Sequence, residues 1–587
     1  MLLNIRKKIL YVIVSLIFFG LVLRFSHLQI YEQSRYTQES EKNRIRDVVI
    51  QPSRGLILDR NGRVIVDNVP SYSVFCVPVE MDYSWTLLSK ILGLSESQLQ
   101  EKIDKNSYGQ FARVKLKRQI SFEELSKIEE QRLDLPGISY DIEPRRYYPS
   151  EVKAPHIFGY LGEADNMLLK SMDRSIYHPG DLVGKTGLEK VYDLQLRGIP
   201  GHRFVEVDAL GREVNRGQGD LERIAAVPGQ NLHLTLDGRL QLFLEEQFSG
   251  ISGGAVVVDC SNGEILAMVS KPDYDLSLFT KPLTHDLWKT LSEDTTKPLF
   301  DRMVQSLYPP GSTFKLAVAA AALEQGKGYD DMTFTCDGAY RYGNRMFDCW
   351  KEEGHGTLDL MGAIEQSCNV YFYQLGLKLG IDILSEYARK FRFGLPTQID
   401  LMEESAGFVP DRDYLNKTYG FGNWTQGLVL NLAVGQGDLL VTPLQMAALA
   451  MIIANKGIYF NFHLMRYLEE PVSRVQSWGQ VEPTRIDGIS ESTFDKLRQG
   501  MFKVVNGENG TGRACRLPNI QIAGKTGTAQ NPHGDDHAWF IGFAPYESPE
   551  IAFSVFIENG GGGGAVAAPL ARLLIEEYYH LEISRRQ

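Results

Sequence analysis

Ser312 and Lys315 stand three residues apart at the head of one stretch, Tyr308-Pro-Pro-Gly-Ser-Thr-Phe-Lys-Leu-Ala-Val-Ala-Ala-Ala-Ala-Leu-Glu-Gln-Gly326. The spacing predicts a helix from Ser312 to about Gln325, stopped by Gly326, with both side chains on one face. The stretch is apolar almost all round, so the helix should lie in a core. Desolvation disfavours the charged form of a lysine in an apolar wall and can leave it neutral near pH 7. A neutral Lys315 could take the Ser312 proton and make that serine a nucleophile for acyl transfer. The plainer alternative is a helix-capping serine beside a snorkelling lysine. Ser-x-x-Lys alone is a weak signal in a chain of 587 residues.

Two further groups strengthen it. Ser367-Cys-Asn369 lies between two helical stretches, 358–365 and 370–379, where a turn can aim two short polar side chains into a cleft. Lys525-Thr-Gly-Thr528 lies on a predicted strand. Gly527 would let a substrate backbone approach and pair with the strand edge. Lys525, Thr526 and Thr528 would hold an anionic group such as a carboxylate. Each group alone is commonplace. The ordered set Ser-x-x-Lys, Ser-x-Asn, Lys-Thr-Gly is highly specific.

The elements that must position these residues can be read around them. Residues 31–230 are polar, turn-rich and strand-rich, with Arg54 to Gly62 reading as a strand closed by an Asn-Gly turn. Within them, 83–131 reads as helical, and 145–149 and 156–160 read as strand and turn. From 231 onward, Gly254 to Asp259 and Glu264 to Ser270 flank Ser261-Asn-Gly263 as a hairpin. A largely helical middle runs from about 280 to 510. Strands return at 521–530, 537–544 and 551–558, before a helix at 565–579. Strands at both ends of a helical insertion predict an α+β fold: an antiparallel sheet with flanking helices and a helical lobe, with a cleft between.

Composition sets the compartment. Hydrophobic residues make up 43% and charged residues 23%, an ordinary globular balance. A net charge of −11 argues against nucleic acid as a partner. Arg6, Lys7 and Lys8 precede an apolar run from Ile9, interrupted by Arg24 and resuming to Ile30. This reads as a retained transmembrane anchor with a cytoplasmic N-terminus, no small-x-small cleavage site following it. ATP is not expected beyond the membrane, and Gly184-Lys-Thr186 lacks the glycine a phosphate loop needs at position 179.

The three motifs resemble those of the penicillin-binding proteins. The resemblance runs almost the full length. Arg54 to Gly62, Tyr148-Pro149, Gly187-Leu-Glu-Lys190, Thr235-Leu-Asp237 and Thr442-Pro-Leu-Gln-Met446 are similar to the class B members. Val205-Glu-Val-Asp-Ala-Leu-Gly-Arg212 and His537-Ala-Trp-Phe540 are similar to the penicillin-binding protein 2 group, the elongation enzymes. Asp301 departs from the asparagine usual in relatives, and Lys185-Thr-Gly187 repeats the third motif in a structural setting.

The resemblance implies a cytoplasmic tip and anchor at 1–30, an elongated, mostly-β, non-catalytic pedestal or dimerisation-type domain at 31–230, and a transpeptidase domain at 231–587. It implies that Ser312 attacks the bond between the terminal D-alanines of a peptidoglycan stem peptide, with Lys315 as base. Ser367 would relay the proton, Asn369 would bind the peptide amide, and Lys525, Thr526, Gly527 and Thr528 would form the carboxylate site. Backbone N–H groups of Ser312 and Thr528 would hold the oxyanion. An amine from a second stem resolves the acyl-enzyme as a cross-link; water would give a carboxypeptidase-type side reaction. β-Lactams would acylate the same serine. Expected partners are a lipid-linked glycan polymerase of the SEDS family and the membrane proteins of the elongation complex. The implied place is the cytoplasmic membrane, with the catalytic domain periplasmic.

A metal is a separate expectation; acyl transfer itself requires no cofactor. Three of the six cysteines fall within 336–368. Cys336, Cys349, His355 and Cys368 could converge as a Cys3His set, with Asp337 and Asp348 as alternative ligands. A Cys336–Cys349 disulfide is the alternative that the compartment favours. Members of the penicillin-binding protein 2 group with an Asp, His and Cys zinc set tip the reading toward structural Zn2+ pinning the Ser367 turn. Cys76, Cys260 and Cys515 read as buried small hydrophobes. A β-lactamase would share the motifs without needing the pedestal, a β-lactam sensor would need an intracellular effector, and a scaffold would not need all three motifs. A division-specific transpeptidase is the nearest rival.

Overall fold

The structure is a computed structural model. It describes residues 2–32, 45–81, 85–106, 113–164, 167–173, 176–178, 180–206, 222–281, 283–326, 328–329, 331–479 and 481–586. The stretch 207–212, part of the resemblance above, lies outside the described residues.

The described chain forms two compact units that interleave along the sequence. The first comprises Met1–Ser53, Val69–Arg145 and Gly198–Pro228. It begins with the helix Leu2–Ser26, and the span Ile5–Tyr31 has a mean hydropathy of 2.3, long and apolar enough to cross a membrane. Strands Ile45–Ile50 and Gly201–Glu206 pair antiparallel from Ile45↔Glu206 to Ile50↔Gly201, with Glu222–Ile224 beyond. A separate small core gathers Val74, Cys76, Leu88, Leu92, Leu99, Val114 and Leu116. The stretch expected to be helical over 83–131 holds helices Trp85–Leu92, Glu96–Asn106 and Phe122–Glu130, but a strand, Val114–Ile120, divides them. Its alternation buries Val114 and Leu116 while Lys115 and Lys117 reach Glu143 and Glu124.

The second unit comprises Arg54–Asn68, Arg146–Arg197 and Gly229–Gln587. Two segments that precede the linear boundary at 230 thus share contacts with the residues beyond it. Ile57–Leu58 and Val64 pair around a turn in which Asp59 Oδ1 accepts the N–H groups of Asn61 and Arg63, at 2.8 Å each. In the stretch 156–160, expected as strand and turn, 156–158 instead belong to the short helix Pro155–Phe158, because Pro155 presets its first turn and Gly159, at φ 74°, ends it. Lys185-Thr-Gly187 is a packing corner: a Cβ on Gly159 would lie 1.9 Å from Thr186 O.

The core of this unit is a five-stranded antiparallel sheet in the order Ile265–Lys271, Gly253–Asp259, Ile551–Ile557, His537–Ala544, Ala523–Ala529. Its strands are apolar at nearly every position because both faces are covered. Ala255, Val257, Phe540 and Val555 face a core shared with helices Gly238–Gln247 and Ala567–Arg586. Val256, Trp539, Ile541 and Phe556 face another shared with helices Lys315–Gln325 and Pro443–Ala454. The region between, expected as largely helical, also folds small strand pairs, among them Phe334–Cys336 with Gly356–Leu358 and Ala339–Tyr342 with Arg345–Asp348.

A buried ion network ties the early segments of this unit together. Arg54 Nε donates to Glu189 Oε2 at 2.6 Å, Arg54 Nη2 to Asp193 Oδ1 at 2.7 Å, and Arg146 Nε to Glu189 Oε1 at 2.7 Å. The Glu189 side chain is 1% exposed, so losing it takes the carboxylate from Arg146 and leaves Arg54 with Asp193 alone in a dry interior. Glu189→Ala should lower unfolding stability by about 3 kcal/mol, read as an earlier urea transition of the purified protein. An unchanged transition would show that the network is not needed.

Candidate active site and adjoining cysteine cluster

Gly311–Phe314 forms a tight turn that runs straight into the helix Lys315–Gln325. Gly311 adopts φ +56°, and a Cβ there would lie 2.6 Å from Thr528 O, so only glycine lets this turn abut the Ala523–Ala529 strand. Ser312 is half-buried, while Thr313, Phe314 and Lys315 are buried. The helix is rich in alanine, the residue that costs helix formation least, and Lys315 to Ala322 are all buried.

Lys315 Nζ donates to Ser367 O at 2.8 Å, to Asn369 Oδ1 at 2.7 Å, and more distantly to Ser367 Oγ at 3.4 Å. Lys525 Nζ reaches the same hydroxyl at 2.8 Å and Thr526 O at 3.1 Å. Both lysines are 0% exposed. Burial pushes the Lys315 ammonium down to about 8, with thiols of the neighbouring cysteines opposing. Burial, and then the charge of Lys315, push Lys525 well below its ordinary range.

Ser367 sits where one helix ends and the next begins. After Leu360–Glu365 it takes φ +53°, an unusual conformation for a residue with a side chain, costing about 1 kcal/mol or more. Cys368 then caps Asn369–Lys390, its Sγ accepting Tyr371 N at 3.4 Å. With only three residues between the helices, Ser367 and Asn369 are both held against Lys315.

Lys525 to Thr528 occupy the edge strand of the sheet. A Cβ on Gly527 would lie 2.9 Å from Thr313 Cγ2 and 3.0 Å from Pro310 O, so the turn and the strand fit only through glycine. Thr528 O accepts Gln436 Nε2 at 3.2 Å, and Thr528 Oγ1 accepts Gly563 N at 3.3 Å. Thr511 Oγ1 lies 2.7 Å from Thr526 Oγ1. Sequence reasoning passed over Gln436, Thr511 and Gly563. The signals are the glycine pairs Gly435/Gly437 and Gly510/Gly512 and the run Gly560 to Gly564. A Cβ on Gly563 would lie 2.3 Å from both Gly527 O and Trp539 O, which gives that run a packing reason.

The cysteine cluster adjoins this site. Ligand atoms of Cys336, Cys349, His355 and Cys368 all lie within 4.8 Å of one another, and Asp337 and Asp348 are not among them. None of the six cysteines forms a disulfide, so the Cys336–Cys349 alternative does not hold here. His355 Nδ1 is 3.5 Å from Cys336 Sγ and 3.6 Å from Cys349 Sγ. A shared hydrogen bond pulls the Cys349 thiol down and pushes Cys368 up. The hairpin holding Cys349 also reaches the Ser367 turn directly. Trp350 Nε1 donates to Gln366 O at 3.0 Å, and Asn369 Nδ2 donates to Asp348 O at 3.4 Å. Cys76, Cys260 and Cys515 are buried elsewhere.

Comparison with known proteins agrees with this geometry. The family model for the penicillin binding protein transpeptidase domain matches residues 253–576, and that for the penicillin-binding protein dimerisation domain matches 49–234. The peptidoglycan D,D-transpeptidase MrdA of Haemophilus influenzae is 34% identical, covering 94% of this chain and 88% of that protein. The protein of that name in Escherichia coli is 30% identical, covering 94% and 91%. A solved complex between PBP2 and MreC from Helicobacter pylori contains a chain with TM-score 0.78 and 32% identity, covering 91% of this chain and 100% of that one. A structure of a peptidoglycan synthase complex, described as coordinating polymerisation and cross-linking, gives TM-score 0.70 at 30% identity, covering 98% of each chain. With a transpeptidase model over more than half its length and relatives matched almost end to end, the chain belongs to the penicillin-binding protein family, in the group of penicillin-binding protein 2.

Proposed function

We propose that this protein is a peptidoglycan D,D-transpeptidase of cell elongation that works through an acyl-enzyme on Ser312. The observation that carries the reading is one hydroxyl, Ser367 Oγ, within reach of two buried lysines, one of which, Lys315, opens the helix that follows Ser312. Lys315, driven toward its neutral form, takes the Ser312 proton as Oγ attacks the D-alanyl carbonyl. Backbone N–H groups of Ser312 and Thr528 hold the oxyanion. The C–N bond breaks, the proton passes through Ser367 to the leaving D-alanine nitrogen, and an ester remains. The amine of a second stem then attacks that ester, forms the cross-link and returns the proton to Ser312; water in its place gives the carboxypeptidase side reaction. Asn369 meets the peptide amide, and Thr526 and Thr528 receive the terminal carboxylate. Lys525 supports Ser367, and Gly527 lets the turn that bears Ser312 lie against the strand.

Cys336, Cys349, His355 and Cys368 would hold a structural Zn2+. Four soft and borderline donors at this spacing fit a tetrahedral ion with Zn–S bonds of about 2.3 Å. Bound there, the ion would cross-link two hairpins to the residue beside Ser367. The span Ile5–Tyr31 would anchor the protein in the cytoplasmic membrane, with Arg6, Lys7 and Lys8 on the cytoplasmic side and the enzyme outside. Partners would be a lipid-linked glycan polymerase of the SEDS family and other elongation proteins. The related structures with MreC and in a synthase complex support partners of that kind.

Three measurements test this. The wild-type protein should form a labelled-penicillin adduct lasting many minutes, and Ser312→Ala should form none; an adduct in both would remove Ser312 as nucleophile. Because only neutral Lys315 can accept the proton, acylation should rise with pH and level off above about 8. A rate flat from pH 6 to 9 would exclude Lys315 as the titrating base. Cys368→Ser should lose bound zinc by mass spectrometry and lower thermal stability; unchanged metal content would refute the ligand set.

A further inference from the structure

We propose that Thr511 is a positioning residue for the carboxylate receptor, its hydroxyl setting the direction in which Thr526 donates its proton. The inference rests on the reading that Thr526 and Thr528 receive the terminal carboxylate.

The loop that follows the helix Glu491–Asn506 touches both motif segments. Asn509 N donates to Glu365 Oε1 at 3.1 Å, two residues before Ser367. Thr511 N points at Glu365 O at 3.4 Å. Gly512 N donates to Val504 O at 2.9 Å, and a Cβ on Gly564 would lie 2.4 Å from Thr511 O. The backbone of Thr511 is therefore fixed on both sides, and its hydroxyl faces Thr526 Oγ1 at 2.7 Å.

Each hydroxyl has one proton, so the pair has two arrangements. If Thr526 donates to Thr511, its proton is used and its lone pairs meet an incoming carboxylate. If Thr511 donates to Thr526, the Thr526 proton is left for the anion, and the two bonds polarise each other in series. An anion selects the second arrangement, which needs a donor at position 511. Thr528 has a comparable arrangement, its oxygen accepting Gly563 N so that its proton is left for a ligand. Both receptor hydroxyls thus have a donor behind them. One is backbone; the other is a side chain that substitution can remove.

The test is a double-mutant cycle on the full chain in detergent, read as the second-order rate constant of acylation by benzylpenicillin, whose carboxylate stands for that of the stem peptide. Thr526→Val should lower the rate about tenfold or more, the scale of a hydrogen bond to a charged group. Thr511→Val should lower it several-fold in the wild-type background and not at all in the Thr526→Val background. Thr511→Ser should restore most of the rate, with thermal midpoints unchanged across the set. A Thr511→Val loss that persists beside Thr526→Val would mean a general packing role and overturn the inference. So would no loss from Thr511→Val where Thr526→Val does lose rate. If Thr526→Val loses nothing, the receptor reading fails first, and the inference falls with it.

Discussion

Two ammonium groups and one hydroxyl share a space that excludes water, and the architecture around them makes that possible. Desolvation works against the charge on Lys315 and Lys525, and the charge of Lys315 works further against that of Lys525. What keeps them there is a small set of oxygens: Ser367 O and Oγ, Asn369 Oδ1 and Thr526 O. These oxygens come from a helix junction and an edge strand far apart in sequence. Every strained or close-packed feature nearby keeps those pieces in register: the left-handed Ser367, the glycine contacts of Gly311, Gly527 and Gly563, and the small-residue helix behind Lys315.

The supports of the site are built in layers. The Ser367 turn is held from below by its two helices and from the side by the cysteine-bearing hairpins, through Trp350 and Asp348. The edge strand is held by the sheet, by Gln436 and by the glycine run. Early segments of the chain, tied to one another by the buried Arg54, Arg146, Glu189 and Asp193 network, belong to the same unit, which makes that unit larger than its linear boundary implies.

Much of this was legible in the sequence because it is local. The hairpin around Ser261-Asn-Gly263, the returning strands and the helix after Ser312 all follow from periodicity and turn chemistry. The strand Val114–Ile120 was hidden among charged, helix-compatible neighbours, since its alternation is short and its lysines are satisfied only by partners elsewhere. The helix Pro155–Phe158 was misread because four residues are too few to show a period.

By itself the sequence determined which side chains could do chemistry, in what order they come, and that a serine and a lysine would share the head of one buried helix. It also determined the apolar N-terminal span. Only the tertiary structure decided that both lysines converge on one hydroxyl, that three cysteines and a histidine meet without a disulfide, and that Thr511 stands behind Thr526. Those relations join residues 15 to more than 150 positions apart. No local propensity encodes them; they arise when burial of both sheet faces brings distant segments to one edge and leaves each polar group only the partners it finds there.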